Sequence, residues 1–282
     1  MNNKKKNTIV LPRIEDRISQ LYDAYLLDLD GTVLLGNKLI PGAKKVIKIL
    51  KSFDKHIFFI SNNSTSSPAS YAKQLTLLGI PTANEDVINS SMVLINFLND
   101  NIPQGRLLVI GEIELCDDLK TEGFNVTNSE SNVDAVIVSF DRNFNYQKLQ
   151  AAFDAIKNGA RFFATNSDKY RPIMDGGQPD AGAIIAAIET CTEKPCEVIV
   201  GKPSKHIIDY LTSRVLNQNS NCIIVGDRLE TDIQMGINAS IDSALVLTGA
   251  TNLDNAIKSD VKPTFIINSI LSLLPDKRLN QL

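Results

Sequence analysis

The sequence predicts an α/β fold: a doubly wound parallel-sheet (Rossmann-like) core with an inserted α/β cap domain. Three observations carry this. Short apolar runs alternate along the chain with segments of helical period, the order that builds a parallel sheet. Four of those runs, at Ala24, His56, Val198 and Cys222, end in small polar or charged residues of the kind that gather at one end of such a sheet. The block between the second and the third, from about 100 to 195, carries strands and helices of its own, so it must leave the core and return. The expected division is a first part of the core over 1–99, the cap over 100–195 and the second part of the core over 196–282.

Ala24 to Leu27 is an apolar run that reads as a buried strand, and it opens into Asp28-Leu29-Asp30-Gly31-Thr32. Residues two apart in an extended chain share a face, so Asp28 and Asp30 repel each other unless something holds them. A divalent cation is the usual answer, and Mg²⁺ prefers carboxylate, carbonyl and water oxygens. A plain polar turn is the other reading of the same residues, since Asp-Gly is a common turn pair. Val33 to Ile40 is too short for a helix and reads as a hairpin-like flap, after which Pro41-Gly42 opens a helix to Phe53 with Val46, Ile49 and Leu50 on its apolar face. His56 to Ile60 is the second strand. It ends in Ser61-Asn62-Asn63-Ser64-Thr65, whose hydroxyls, amides and exposed N–H groups suit an oxyanion or phosphate and equally suit a turn or helix cap. Pro68 to Leu78 is a helix stopped by Gly79, Asn89 to Leu98 is another, and 99–105 reads as a linker.

In the inserted block, Arg106 to Ile110, Ala135 to Val138 and Arg161 to Ala164 read as strands, and Tyr146 to Asn158 and Ala181 to Thr190 as helices. Thr192 to Cys196 is the return linker. Val198 to Val200 then runs into Gly201-Lys202-Pro203. A lysine after a strand is ordinarily solvated, but Pro203 stiffens the turn in favour of a positioned ammonium. Cys222 to Val225 leads into Gly226-Asp227-Arg228-Leu229-Glu230-Thr231-Asp232, with acids five positions apart at its ends.

Composition excludes several classes. The 282 residues are 43% hydrophobic and 22% charged, ordinary values for a globular protein of one or two domains. A formal net charge of −3 argues against a nucleic-acid or membrane-surface partner. Residues 1–7 hold three lysines with no apolar stretch after them, which is a tail and not a secretory signal. No run approaches the roughly 18 apolar residues that a membrane span needs. Cys116, Cys191, Cys196 and Cys222 show no metal spacing and read as reduced residues of a cytoplasmic protein. His56 reads as a strand-boundary residue and His206 as a solvated one in a first helical turn, and two histidines so far apart give no zinc signature. Gly176-Gly177 precedes no lysine-serine or lysine-threonine pair and is no phosphate-binding loop of the Walker type.

The series Asp28 to Thr32, Ser61 to Ser64, Gly201 to Pro203 and Gly226 to Asp232 resembles the haloacid dehalogenase superfamily of phosphatases. The stretches 141–159, 163–167, 181–189 and 246–249 narrow the resemblance to its class IIA capped branch of para-nitrophenylphosphatases and of pyridoxal-phosphate, phosphoglycolate and nucleotide-monophosphate phosphatases. It implies a Mg²⁺-dependent hydrolysis of a small-molecule phosphomonoester through a phospho-aspartate. Asp28, the acid nearer the strand, is then the nucleophile, and Asp30 protonates the leaving oxygen and later deprotonates water. The resemblance implies Mg²⁺ on the Asp28 carboxylate, the Asp30 carbonyl and Asp227, with Ser61, the Asn62 backbone and Lys202 on the phosphoryl oxygens. Asp232 either orients Lys202 or a metal-bound water, or is a helix N-terminal acid. A substrate-specificity loop is implied over 168–180, where Arg171 either faces the active site or is a surface charge, and Tyr170 either stacks on a leaving group or packs in the cap. The chain departs from the pattern at Asp180, where relatives usually carry Gly, so the turn of this loop is expected to differ from theirs. Relatives often dimerise through the cap, which leaves a homodimer open.

Two other function classes fit part of the pattern. A phosphoryl-accepting receiver module shares the aspartates and lysine, but is about half this length and lacks both a cap and an acid at the position of Asp30. Cleavage of a phosphonate or carbon–halogen bond on the same scaffold would ask for a Schiff-base lysine from the cap, or would dispense with Asp30 and the metal acids.

Overall fold

The protein is described by a computed structural model over residues 13–15, 17–173, 176–214 and 221–274; the lysine-rich residues 1–7 lie outside these. Its main sheet has seven strands, all parallel, in the spatial order Arg13–Ile14, Phe265–Ile267, Asp242–Val246, Cys222–Gly226, Ala24–Asp28, His56–Ser61, Val87–Asn89. Sequence order reverses at Ala24–Asp28, which lies between the second and fourth of the polar-ended runs, and the crevice beyond its carboxyl end is where open α/β sheets bind ligands. All five residues of this strand are buried. Tyr25 and Leu27 enter one apolar cluster and Leu26 the other, so the alternation of side chains divides the strand between helical layers on both faces.

A second, five-stranded parallel sheet has the order Val198–Ile199, Arg161–Ala164, Ala135–Val138, Arg106–Ile110, Asn125–Thr127. Val198–Ile199 therefore does not lie in the same sheet as the other three polar-ended runs. It pairs with Phe163 and Ala164 as the edge of the second sheet. The backbone continues that pairing, Val200 N donating to Ala164 O at 3.1 Å and Gly201 N to Thr165 O at 2.8 Å. The two sheets share an apolar cluster in which Leu26, Ile60 and Ile88 pack with Leu107, Ala135, Ile137 and Phe163. Apolar surface removed from water contributes about 25 cal/mol per Å², and this shared cluster is what packs the two sheets against each other.

Most expected elements appear, with shifted ends. The flap after the first strand is a two-residue hairpin, Leu34–Leu35 with Lys38–Leu39. The helices run Ala43–Ser52, Pro68–Leu77 and Ser90–Asn101, the second capped by Ser67 and the third by Asn89 through their side chains. The third extends into the segment that reads as a linker, because Leu98 accepts from Ile102 N and the turn closes only at Gly105. The helix Ile113–Thr121 and the strands Val87–Asn89, Asn125–Thr127, Asp242–Val246 and Phe265–Ile267 have no counterpart among the sequence expectations. His206 is not solvated: it is half-buried with its ring edge-on to Phe97 at 5.0 Å, and that burial lowers its pKa. None of the four cysteines forms a disulfide, and no helix among the described residues is long and apolar enough to cross a membrane.

Candidate active site

Lys202 is the centre of the site. Its side chain is 2% exposed, and its Nζ donates to Asp28 Oδ1 and to Asp232 Oδ1, both at 2.6 Å, and to Ile60 O at 3.3 Å. Burial alone would push this ammonium down, but the carboxylates of Asp232 and Asp28 outweigh it and hold the pKa above the ordinary lysine value. Asp28 is pushed up: desolvation is the largest cause, Lys202 opposes it, and the charges of Asp232 and Asp227 add to it. One buried ammonium thus faces more negative charge than it can compensate.

Asp227 shows the remaining imbalance. Its Oδ2 accepts from Ala250 N at 2.6 Å, while its Oδ1 is buried without a hydrogen-bond partner. Burial, then the neighbouring Asp232, raise its pKa to about 6. The carboxylates of Asp28, Asp227 and Asp232 offer one oxygen each, all within 4.8 Å of one another. An orphaned buried carboxylate oxygen in an all-oxygen cluster fits a hard divalent cation. Close approach of the backbone makes the cluster possible. A Cβ on Gly31 or Gly249 would meet Asp227 Oδ2 at 2.3 or 1.9 Å, and one on Gly226 would meet Asp232 Cγ at 2.1 Å. A turn of π-helix, Leu229–Ile233, swings Asp232 back toward the strand end, where its Oδ2 accepts from Arg228 N at 3.1 Å.

The sequence motifs therefore converge. Asp28, Asp30, Ser61, Asn62 and Lys202 line one cleft, together with Asn63, Asp168, Tyr170, Arg171, Asp180, Arg228 and Thr231. Asp232 lies directly behind Lys202, and Asp227 beside Asp28. Ser61 Oγ accepts from Asn63 N at 3.0 Å. The side-chain amide of Asn62 brackets Lys202: Oδ1 accepts from Lys202 N at 2.7 Å and Nδ2 donates to Lys202 O at 3.2 Å.

The far wall of the cleft comes from a separate two-stranded hairpin, which follows the second-sheet strand Arg161–Ala164 in the chain. The hairpin pairs Tyr170–Ile173 with Gly176–Pro179, within the segment expected to read the leaving group. Arg171 donates to Asn63 Oδ1 at 2.8 Å and lies over the Phe140 ring at 4.4 Å. Arg228 donates to Tyr170 O at 3.1 Å. Asp180 is the N-cap of the helix Ala181–Thr192, with φ of −117°, so this position makes no demand for glycine. The demand falls two residues later, where a Cβ on Gly182 would meet Ser167 O at 2.5 Å. Asn63, Ser139, Thr165, Asn166 and Asp168 belong to this surround and were not singled out from the sequence. Asn63, Thr165 and Asn166 stand inside the motif stretches and Asp168 opens the expected specificity loop, but only the folded arrangement shows what their side chains meet.

Residues 25–125 match the family model described as haloacid dehalogenase-like hydrolase, and residues 199–273 a second hydrolase model of the same type. The sugar phosphatase AraL of Bacillus subtilis is 36% identical over 245 residues, covering 87% of this chain and 89% of its own. The crystal structure of 4-nitrophenylphosphatase from Thermotoga maritima superposes with a TM-score of 0.82 at 30% identity, over 89% of this chain and 95% of that one. The glycerol phosphate phosphatase of Mycobacterium tuberculosis, solved in complex with magnesium, gives a TM-score of 0.82 at 29% identity, over 95% of this chain and 80% of that one. The fold and the cleft define a capped α/β hydrolase, and the chain belongs to the haloacid dehalogenase-like hydrolase family. It is an enzyme that acts on phosphoric monoester bonds.

Proposed function

We propose that the protein is a Mg²⁺-dependent phosphatase that hydrolyses a small sugar or polyol phosphate through a phospho-aspartate on Asp28. The observation that carries this is the buried set of Lys202 between Asp28 and Asp232 with Asp227 Oδ1 unpartnered beside it. An Asp28 carboxylate oxygen attacks phosphorus, the bond to the leaving oxygen breaks, and Asp30 supplies the proton that this oxygen takes up. Asp30 then takes a proton from the water that attacks phospho-Asp28, which returns both acids to their starting state. Lys202, the Ser61 hydroxyl and the Asn62 backbone hold the phosphoryl oxygens, and charge compensation of this kind is most of the catalysis in phosphoryl transfer. Asp28, Asp227 and the Asp30 carbonyl would hold Mg²⁺, which when bound neutralises charge on the phosphoryl group. Asp232 holds the ammonium from behind.

The leaving-group side supports a polar, compact substrate. Asp168, Asp180, Arg171 and Arg228 balance one another in charge, and the one aromatic ring among the cleft residues, Tyr170, has the Arg228 guanidinium 5.7 Å from its centre. That wall suits hydroxyl groups better than a flat base. The similarity to a sugar phosphatase and a glycerol phosphate phosphatase points the same way. The cysteines, none in a disulfide, suit a reducing cytoplasm.

Phosphate release from p-nitrophenyl phosphate and from a panel of sugar, polyol, nucleotide and glycolate phosphates, with Mg²⁺ present, tests both levels of the proposal. Asp28→Asn keeps the shape and removes the nucleophilic charge, so it should lower kcat by roughly 10³ or more. A folded variant that keeps a tenth of wild-type turnover would remove Asp28 from the chemistry.

A further inference from the structure

Lys202 belongs to a segment that is not paired within the main sheet. Its chain leaves the edge strand Val198–Ile199 of the second sheet, and yet its ammonium must reach a carboxylate at the end of the central strand of the first. The side chain of Asn62 bridges that gap. Its amide accepts from Lys202 N and donates to Lys202 O, the two bonds that a neighbouring strand would supply. A Cβ on Gly201 would meet Thr165 O at 2.5 Å and Asn62 Oδ1 at 2.6 Å, so the three segments touch with no space to spare.

Asn62 is itself held from the second sheet. Asn166 is 1% exposed and follows the strand Arg161–Ala164. Its Nδ2 donates to Asn62 O at 3.0 Å and to Thr165 Oγ1 at 3.3 Å, and its Oδ1 accepts from Asp168 N at 3.0 Å. Ser90 Oγ donates to the same Asn62 carbonyl at 2.8 Å. Thr165 Oγ1 bonds Ser139 Oγ at 2.9 Å, and Ser139 Oγ bonds Ser64 Oγ. Asp168 faces the Asn62 amide at 3.4 Å through both oxygens. Ser64, Ser90, Ser139, Thr165 and Asn166 are each no more than 3% exposed, so water is poorly placed to substitute for a lost partner.

We propose that Asn166 is a positioning residue for catalysis: acting through Asn62, it fixes the place of the Lys202 ammonium, so that the second sheet sets the geometry of the phosphoryl site. The purpose of the buried polar seam follows from this. Apolar side chains would fill the same space, but they would not fix the Asn62 amide in the plane that brackets Lys202. The inference rests on the phosphatase reading above, and its test is chosen so that the two fail separately.

Wild type, Asn166→Ala, Asn62→Ala, the double variant and Ser90→Ala are assayed with p-nitrophenyl phosphate, and inorganic phosphate is titrated as a competitive inhibitor. Asn166→Ala should lower kcat about tenfold and weaken phosphate inhibition by a similar factor, while Asn62→Ala should lower kcat roughly 10²-fold, the scale on which one oriented charge-stabilising donor is worth. The Mg²⁺ concentration for half-maximal rate should not change in Asn166→Ala. Because both residues act through one lysine, the double variant should lose no more than Asn62→Ala alone. Should Asn166→Ala fail to fold, Ser90→Ala, which removes the other donor to the same carbonyl, should show the same pattern with a smaller loss. Multiplicative losses, or a folded Asn166→Ala with unchanged kcat and phosphate inhibition, would overturn the proposal. An inactive wild type would overturn the phosphatase reading instead, and direct binding of inorganic phosphate by calorimetry would then decide the positioning role through the same variants.

Discussion

Asp180 is only 6% exposed, and its side chain accepts from Ala181 N at 2.6 Å as the N-cap of the helix Ala181–Thr192. Burial raises its pKa to about 6 from the ordinary 3.8; Asp168 pushes the same way, while the capped N–H, Arg171 and Arg228 oppose. The sign of the effect on stability is set by which state binds the proton more tightly. Below about pH 4 the carboxyl is protonated in the folded and the unfolded chain, and it imposes no penalty. Between about pH 4 and 6 the unfolded chain ionises first, so stability is lost as pH rises, reaching roughly 3 kcal/mol above pH 6. Asn caps a helix as well as Asp does and carries no charge. Asp180→Asn should therefore melt higher than wild type at pH 7.5 and converge with it near pH 4. Parallel melting profiles across that range would show that Asp180 ionises freely in the folded protein. From sequence this position stood out only as a departure from the glycine of its relatives, because a cap is recognised by the helix behind it and not by one residue.

The hairpin Tyr170–Ile173 with Gly176–Pro179 is pinned to the rest of the cleft at two points, Arg171 on Asn63 and Phe140 and Arg228 on the Tyr170 carbonyl. From the sequence, Arg171 either faces the active site within a substrate-specificity loop, where a guanidinium could pair with an anionic leaving group, or is a surface charge. The structure puts its guanidinium against the loop that follows the strand His56–Ser61, and a group so placed shapes the cleft for every substrate. Arg171→Ala should raise KM roughly fivefold for p-nitrophenyl phosphate and for a sugar phosphate alike, the equivalent of about 1 kcal/mol of lost hydrogen bond and ring contact. A rise confined to substrates with a second anionic group would restore the leaving-group role. Elements of this size explain where sequence patterns stop. Val87–Asn89, Asn125–Thr127 and Phe265–Ile267 are three residues long, too short to show a period, and their pairing partners lie far away in the chain. Ala24–Asp28 and Cys222–Gly226 were legible because a strand buried on both faces is a continuous apolar run that stops abruptly.

At the scale of the whole molecule, two sheets meet at a cleft whose residues come from chain segments near 28, 61, 168, 202 and 228. Asp28, Lys202 and Asp227 each follow a recognisable apolar run, which is why they were readable singly. Asn63, Asn166 and Asp168 act only through what the fold sets opposite them, so their contacts were not readable at all. The same convergence concentrates negative charge: Asp28, Asp227 and Asp232 share a water-poor site with one ammonium, and Asp227 Oδ1 has no partner. A cation that binds this arrangement and not the unfolded chain must stabilise the fold by mass action. With Mg²⁺ at about a hundred times its dissociation constant the gain is about 2.7 kcal/mol, or roughly 4–5 °C in Tm for a chain of this length. Asp227→Asn replaces the unpaired carboxylate oxygen and lifts the repulsion, so it should melt higher than wild type in chelator and lose most of the Mg²⁺-dependent rise, with activity falling in parallel. Thermal melts of both proteins in chelator and in Mg²⁺ check this without a substrate. No shift for wild type in millimolar Mg²⁺ would mean that the folded protein takes up no ion, an equal shift for both proteins would place the ion elsewhere, and either result would leave the three carboxylates to be balanced by protons alone.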